Sequence, residues 1–300
     1  MIRRVILHCG AHKTGTTTVQ SHLWENRNIL TEKGIFYCPL RIKHGDIDPL
    51  NKAILNLCSA SQVEAVQAGR ERLEYLFGER KYHTVIVSNE NAFDAPFSDK
   101  GEGFYPFLES RLAGLQEMFV GCQVEPLFFV RSYAGLLPSF FIQTVRQGSI
   151  DSLQGFVERV GQHDMSWQRL VRKVSDTFGA QHLHLHTFES FSQSPSVYTE
   201  DLWKALLDID CFPVHGFAHK NKSANRHAVY AMRVLNKAIL ALPFLTDTTR
   251  KKMQFKIRRL FFPKLEKLRT GGRVALPKPV ADKLDLQYQS DLKALQPWLK

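Results

Sequence analysis

Residues 8–20 read HCGAHKTGTTTVQ and follow a short apolar run, Val5-Ile6-Leu7. Val5–His8 is predicted to be a buried strand. Thr16–Asn28 has helical spacing, with Val19, Leu23 and Trp24 as its apolar positions. Between them, Gly10 and Gly15 permit backbone angles that other residues avoid. Strand, glycine turn and helix in that order suit an anion, because the turn's amides and the positive end of the helix dipole converge on one point. Lys13 adds a full positive charge, and Thr14, Thr16 and Thr17 add hydroxyls. A nucleoside-triphosphate loop has the order G-x-x-x-x-G-K-[S/T]. Here Thr16 follows Gly15, and the lysine comes before that glycine. The loop is therefore built for phosphate but departs from the triphosphate pattern.

Outward from this loop, helical patterns alternate with short apolar runs. Lys52–Arg80 reads as one or two helices, and Thr84–Ser88 (TVIVS) as a second strand. Ser110–Phe119 is helical, Val124–Val130 (VEPLFFV) is a third strand, and Ala134–Arg146 is again helical. Leu153–Val160 and Trp167–Phe178 are predicted helices, His182–His186 a strand, and Glu200–Leu207 and Ser223–Leu240 helices. This alternation predicts an α/β fold, an open and largely parallel sheet with flanking helices and a P-loop-like turn. There is no internal repeat. The expected organisation is one α/β domain over 1–245, with a helical insertion at about 45–80. A basic helical extension over 246–300 would pack on the same domain.

The chain has 300 residues, 44% of them hydrophobic, enough for a sizeable core. Its net charge of +11 is local. Arg250–Arg273 holds ten Lys/Arg against the single acid Glu266, which is +9 of the total. Met253, Ile257, Leu260, Phe261, Leu265 and Leu268 recur there at three- and four-residue steps, predicting an apolar face opposite a basic one, with Pro263 kinking or splitting the helix. Such a stretch is a solvated face, a groove for an anionic polymer, or a membrane-surface contact. Nucleic acid is not expected. The five cysteines are odd in number and widely spaced, so neither a disulfide framework nor a zinc site is indicated. With no signal-peptide core at the N-terminus, a cytoplasmic location is expected. His182, His184 and His186 would share one face of their strand, which is either an exposed stripe or, less simply, a metal site. No metal is expected.

A second anion signal follows the VEPLFFV strand. Arg131 stands at its end and Ser139 eight residues on, in the next helix. An Arg fork matches a phosphate, and open α/β sheets bind ligands at the carboxyl ends of their strands. Glu90, in SNENAF just past the second strand, is placed at the same edge and is the candidate general base. His12 and His83 are alternatives, although His12 lies within the loop and His83 precedes its strand.

These residues carry a resemblance. Lys13-Thr14-Gly15-Thr16-Thr17 resembles the 5'-phosphosulfate loop of sulfotransferases that use 3'-phosphoadenosine 5'-phosphosulfate (PAPS). The His before the Lys and the Gln at the end are similar to bacterial, carbohydrate-type members. The resemblance implies that Lys13 contacts the 5'-phosphate and the departing bridging oxygen, with Gly15, Thr16 and Thr17 wrapping the phosphate and His12 and Thr14 beside it. It assigns Arg131 and Ser139 to the 3'-phosphate. In HKNKSANR it marks Asn221, Ser223 and Arg226 as a loop closing over the donor, although Ser223 is equally a helix cap. Trp167, Phe178-Gly179 and Phe188-Glu189-Ser190 are similar to the family's later half. Thr18 stands where cytosolic eukaryotic members often have Trp. The implied activity is transfer of a sulfuryl group from PAPS to a hydroxyl acceptor, a carbohydrate or surface glycan. The alternatives are a P-loop-like nucleotide-dependent phosphotransferase and a polyanion-binding module.

Overall fold

The structure, a computed structural model, describes residues 2–40, 46–59, 61–98, 102–161, 164–209, 225–243, 246–267 and 272–300. The chain divides into two compact units. One comprises Met1–Arg131, Asp164–Ala218 and Gln289–Lys300, the other Ser132–His163 and His219–Tyr288.

The first unit is built on a five-stranded sheet: β1 (Arg4–His8), β2 (Ile35–Pro39), β3 (Thr84–Ser88), β4 (Gln123–Val130) and β5 (His184–Thr187). The spatial order is β2-β3-β1-β4-β5, and every pair is parallel. This is the expected fold class. Both faces are covered, so the strands read as continuous apolar runs rather than as alternation. Ile6, Ile86, Leu127 and Phe129 form the centre of the core with Trp203.

β2 was not foreseen. It is a short edge strand ending in Pro39, which has no N–H for a ladder and is tolerated only at an edge or strand end. The helices expected over 45–80 are α3 (Pro49–Leu55) and α4 (Gln62–Glu74) with a π turn at Tyr75–Glu79, and they form the crossover from β2 to β3. Asp48 starts α3 by accepting from the Leu50 amide at 2.9 Å, with Pro49 at the first helical position.

The helix expected over Thr16–Asn28 is two: α1 (Thr16–Glu25) and α2 (Arg27–Glu32). The break is at Asn26, whose backbone and side-chain N–H groups both donate to the His22 carbonyl, at 3.2 and 2.9 Å. That double bond caps the turn instead of extending it. α5 (Leu108–Met118), α8 (Trp167–Phe178), α9 (Phe188–Gln193) and α10 (Pro195–Leu207) complete this unit. β5 starts later than predicted because Gly179 (φ 93°) ends α8 and Ala180–His182 form a 3-10 turn. His182 therefore leaves the expected stripe. His184 pairs with Glu125 at 3.1 Å and His186 contacts the Tyr198 hydroxyl, so both remaining histidines have protein partners. Among the described residues no group of three or more His, Cys, Asp or Glu is placed to hold a metal ion.

The second unit is helical: α6 (Tyr133–Arg146), α7 (Leu153–Gly161), α11 (Arg226–Leu240), α12 (Asp247–Lys267) and most of α13 (Lys278–Leu295). Asn236 locks α11 to the end of α6, donating to the carbonyls of Val145 and Ser149 at 2.8 and 3.0 Å. α12 runs on through Pro263 as one helix, so the expected split does not occur. Pro138 likewise sits inside α6. A proline removes one donor and crowds one carbonyl, and a helix held by its remaining bonds continues past that single loss. The expected apolar face of α12 holds only in part. Met253 and Ile257 are half-buried, but Leu260 and Phe261 are 58% and 50% exposed. Among the described side chains of α12, Phe262 is the buried one, under the Arg146 guanidinium at 4.2 Å. The Leu265 side chain and Leu268 lie outside the described residues. No described helix is long and apolar enough to cross a membrane.

Candidate active site

The parallel register aligns the carboxyl ends of the strands. His8 lies opposite Ser88 on β3 and Leu127 on β4, and Cys9 N–H donates to the Leu127 carbonyl at 3.2 Å. The segments that leave β1, β3, β4 and β5 therefore emerge at one edge, carrying Lys13–Thr17, Glu90, Arg131 and Phe188 respectively.

The loop after β1 turns through two left-handed residues, Lys13 (φ 70°) and Gly15 (φ 80°). For Gly15 this costs little. A Cβ there would also lie 2.4 Å from Phe191 Cε1, so only glycine fits. For Lys13 the left-handed conformation is strained, by about 1–3 kcal/mol, and must be held by its surroundings. Arg131 supplies one brace, donating from Nη1 to the Lys13 carbonyl at 2.5 Å. Thr14 supplies another, with its buried hydroxyl donating to the Ala11 carbonyl at 2.5 Å. Thr14 is thus a strut of the loop, and its proton is not offered to a ligand. Gly15 has no side chain to cap α1, so the amides of Thr16 and Thr17 open the helix with no intrahelical acceptor. These amides, the charge of Lys13 and the positive end of α1 put donors and positive charge on one side of the candidate site.

The opposite wall comes from the turn after β3. Glu90 is half-buried and accepts from the Thr16 hydroxyl at its Oε2, 3.0 Å away, which leaves Oε1 for another donor. His12 places Nε2 3.1 Å from Asn91 Oδ1. Burial lowers the pKa of His12, although the negative charge of Glu90 and the bond to Asn91 oppose this. His12 is neutral at physiological pH and serves as a second strut between the loop and the β3 turn. Asn91 N–H donates to Asn89 Oδ1 at 3.0 Å, Asn89 Nδ2 donates to Asn51 Oδ1 at 2.9 Å, and Asn51 donates to the Cys38 carbonyl on β2 at 3.1 Å. This chain of amides fixes the turn that carries Glu90. His83 bonds the Lys33 carbonyl at the amino end of β3, the wrong end of the sheet, which removes it as a base for this site.

Arg131 is fixed on three sides. Besides its bond to Lys13, its guanidinium lies 4.5 Å from the Phe188 ring centre, and its own carbonyl accepts from Trp167 Nε1 at 2.8 Å. Phe188 and Trp167 both fall in the segments whose resemblance was noted. Trp167 also packs on Tyr105, whose hydroxyl is buried without a hydrogen-bond partner among the described residues. Burial raises the Tyr105 pKa, and the nearby acidic groups Cys9, Asp94 and Glu90 act in the same direction. Tyr105 has φ 54°, another left-handed position, and nothing in its sequence context singled it out.

The structure thus brings together Lys13, Thr14, Gly15, Thr16, Glu90, His12 and Arg131, with Thr17 exposed at the start of α1. Ser139 is half-buried on α6, in the second unit. Asn221 and Ser223 lie outside the described residues. The sequence did not reveal Asn51, Asn89, Asn91 or Tyr105 as parts of the site.

No family model and no curated protein matches the chain. A solved structure does. It is a sulfotransferase from Alicyclobacillus acidocaldarius, 14% identical, with a TM-score of 0.45 over 85% of this chain and 97% of that one.

Proposed function

We propose that the chain is a sulfotransferase that moves the sulfuryl group of PAPS to a hydroxyl of a carbohydrate or surface glycan. The observation that carries this reading is the strained turn Lys13–Gly15, which opens α1 opposite a carboxylate, Glu90, held at 3.0 Å from Thr16. The donor set fits an adenosine bisphosphate: a lysine, helix-opening amides and an arginine fork, with the Glu90 carboxylate tied to the loop through the Thr16 hydroxyl.

The donor, when bound, supplies an activated sulfuryl group. Lys13 and the amides of Gly15–Thr17 hold its 5'-phosphate, and they offset the negative charge that builds on the leaving side. Arg131 takes the 3'-phosphate, with Ser139, Asn221 and Ser223 as further proposed contacts. Transfer of this kind passes through a loose, in-line transition state, so positioning and charge stabilisation dominate. Glu90 Oε1 accepts the acceptor's hydroxyl proton. Thr16 orients that carboxylate through Oε2, so the base and the phosphate loop are mechanically joined.

A triphosphate-dependent phosphotransferase fits less well. Lys13 precedes Gly15, and the residue after β3 where a magnesium-binding acid would stand is Asn89, whose amide is committed to Asn51. The exposed face of α12 belongs to the same proposal. Lys252, Lys256 and Arg259 are exposed beside Phe255, which suits an anionic polymeric acceptor or an anionic membrane surface.

Calorimetry with adenosine 3',5'-bisphosphate and with ATP plus magnesium tests the reading. Tight, magnesium-independent binding of the bisphosphate and weak binding of ATP are expected. The reverse order would replace the sulfotransferase by the phosphotransferase.

A further inference from the structure

The second unit contains a cavity of its own, about 870 Å³ in volume. That is the size of a small-molecule site. Its walls are mostly apolar: Phe141 of α6 and Val229 of α11 are buried at its floor, and Leu153, Val157, Leu276 and Val280 line its sides.

Its mouth is charged. Arg226, Arg233 and Arg273 stand there with one acid, Glu158. The first and last are brought together by the backbone, because Asn225 and Arg273 form an antiparallel bridge and Arg226 N–H donates to the Gly272 carbonyl at 3.0 Å. Arg233 is turned aside to the Ile150 carbonyl, at 3.4 and 3.3 Å. Gln154 holds Glu158 at 2.8 Å. Among the described residues, neither the Arg226 nor the Arg273 guanidinium has a hydrogen-bond or ion-pair partner. Two cations that line one mostly apolar cavity offer a single anionic head forked, charge-assisted hydrogen bonds.

We infer that this cavity binds a small amphiphilic anion: an alkyl or aryl body among Phe141, Val229, Leu276 and Val280, with a carboxylate or phosphate-ester head between Arg226 and Arg273. The apolar walls supply affinity through burial, and the arginines select the charged head over the neutral alcohol. The cavity is lined entirely by the second unit and does not depend on the sulfuryl-transfer reading. Arg226 was linked by resemblance to the donor, so a competition with adenosine 3',5'-bisphosphate separates the two sites.

The test is titration calorimetry of the full chain with decanoate, decyl phosphate, decanol and acetate. Decanoate or decyl phosphate should bind at one site per chain, at least tenfold more tightly than decanol, and acetate should not bind measurably. The better of the two identifies the head group. The double variant Arg226→Gln/Arg273→Gln should weaken the preferred anion by about tenfold or more and change decanol less than twofold. Ala275→Trp, at an exposed position on the cavity wall, should abolish binding of the preferred anion while leaving thermal unfolding unchanged. The inference is overturned if neither decyl anion saturates a single site, or if either variant binds like the wild type. It is also overturned if adenosine 3',5'-bisphosphate displaces the bound anion, because the cavity would then be part of the donor site.

Discussion

Arg131 Nη1 donates to the carbonyl of Lys13 at 2.5 Å, across 118 residues of sequence. A residue assigned from sequence to one phosphate therefore also holds the loop assigned to the other. Removing it exposes the strain at Lys13 as well as deleting a phosphate contact. Arg131→Ala is expected to weaken adenosine 3',5'-bisphosphate by about 100-fold, and also adenosine 5'-monophosphate by about tenfold, as charge-assisted bonds lost from two places. Calorimetry with both ligands checks this. Loss confined to the bisphosphate would show that the bond to Lys13 contributes nothing to the loop.

Glu90→Gln preserves an acceptor for the Thr16 hydroxyl and removes the base. Donor binding should be unchanged and transfer should fall by about 10²–10⁴. A variant that keeps near-normal turnover would place the base elsewhere.

The buried histidines set an acid limit on stability. Burial lowers the pKa of His8 to about 4, from 6.5, and that of His186 to about 4, where His184 and Lys300 add to the effect. A group with a depressed pKa binds fewer protons folded than unfolded. Its contribution is therefore complete above about 6.5 and falls away as the pH drops from there toward 4. For His8 this is on the order of 3 kcal/mol. Glu125 acts in a lower window. Burial pushes its carboxyl up, but bonds from His184 and Arg4 outweigh this and hold it well below the usual carboxylate range. Its stabilisation is thus lost only below about 4.5. Urea unfolding between pH 7.5 and 4.5 should show the histidine-linked fall, and His8→Asn, which can still pair with Ser88, should make it shallower while the share of His186 remains. An unchanged pH slope in that variant would mean that His8 is not the group responsible.

What the sequence made legible was whatever is encoded locally. Thr84–Ser88 and Trp167–Phe178 form at the boundaries predicted for them, because an unbroken β-branched run and a Ser-capped, Gly-terminated amphipathic turn each specify themselves. The loop at His8–Thr18 was recognisable for the same reason, since its glycines and lysine are adjacent in the chain. β2 was missed because Ile35–Pro39 is short and ends in a strand-breaking residue. The Asn51–Asn89–Asn91 chain was invisible because the β2–β3 crossover, not spacing, brings Asn51 to the β3 turn. Pro263 does not split α12, because one missing donor is outweighed by the rest of the helix.

The central claim is that Lys13 stabilises charge that develops only during sulfuryl transfer. The most direct measurement is transfer of label from sulfur-labelled PAPS to a panel of carbohydrate acceptors, by the wild type and by Lys13→Ala, with thermal unfolding recorded for both. Wild-type transfer to at least one hydroxyl acceptor is expected, with turnover about 10²–10³ lower in the variant and unfolding unchanged. Turnover equal in the two proteins, with the fold intact, would contradict the account.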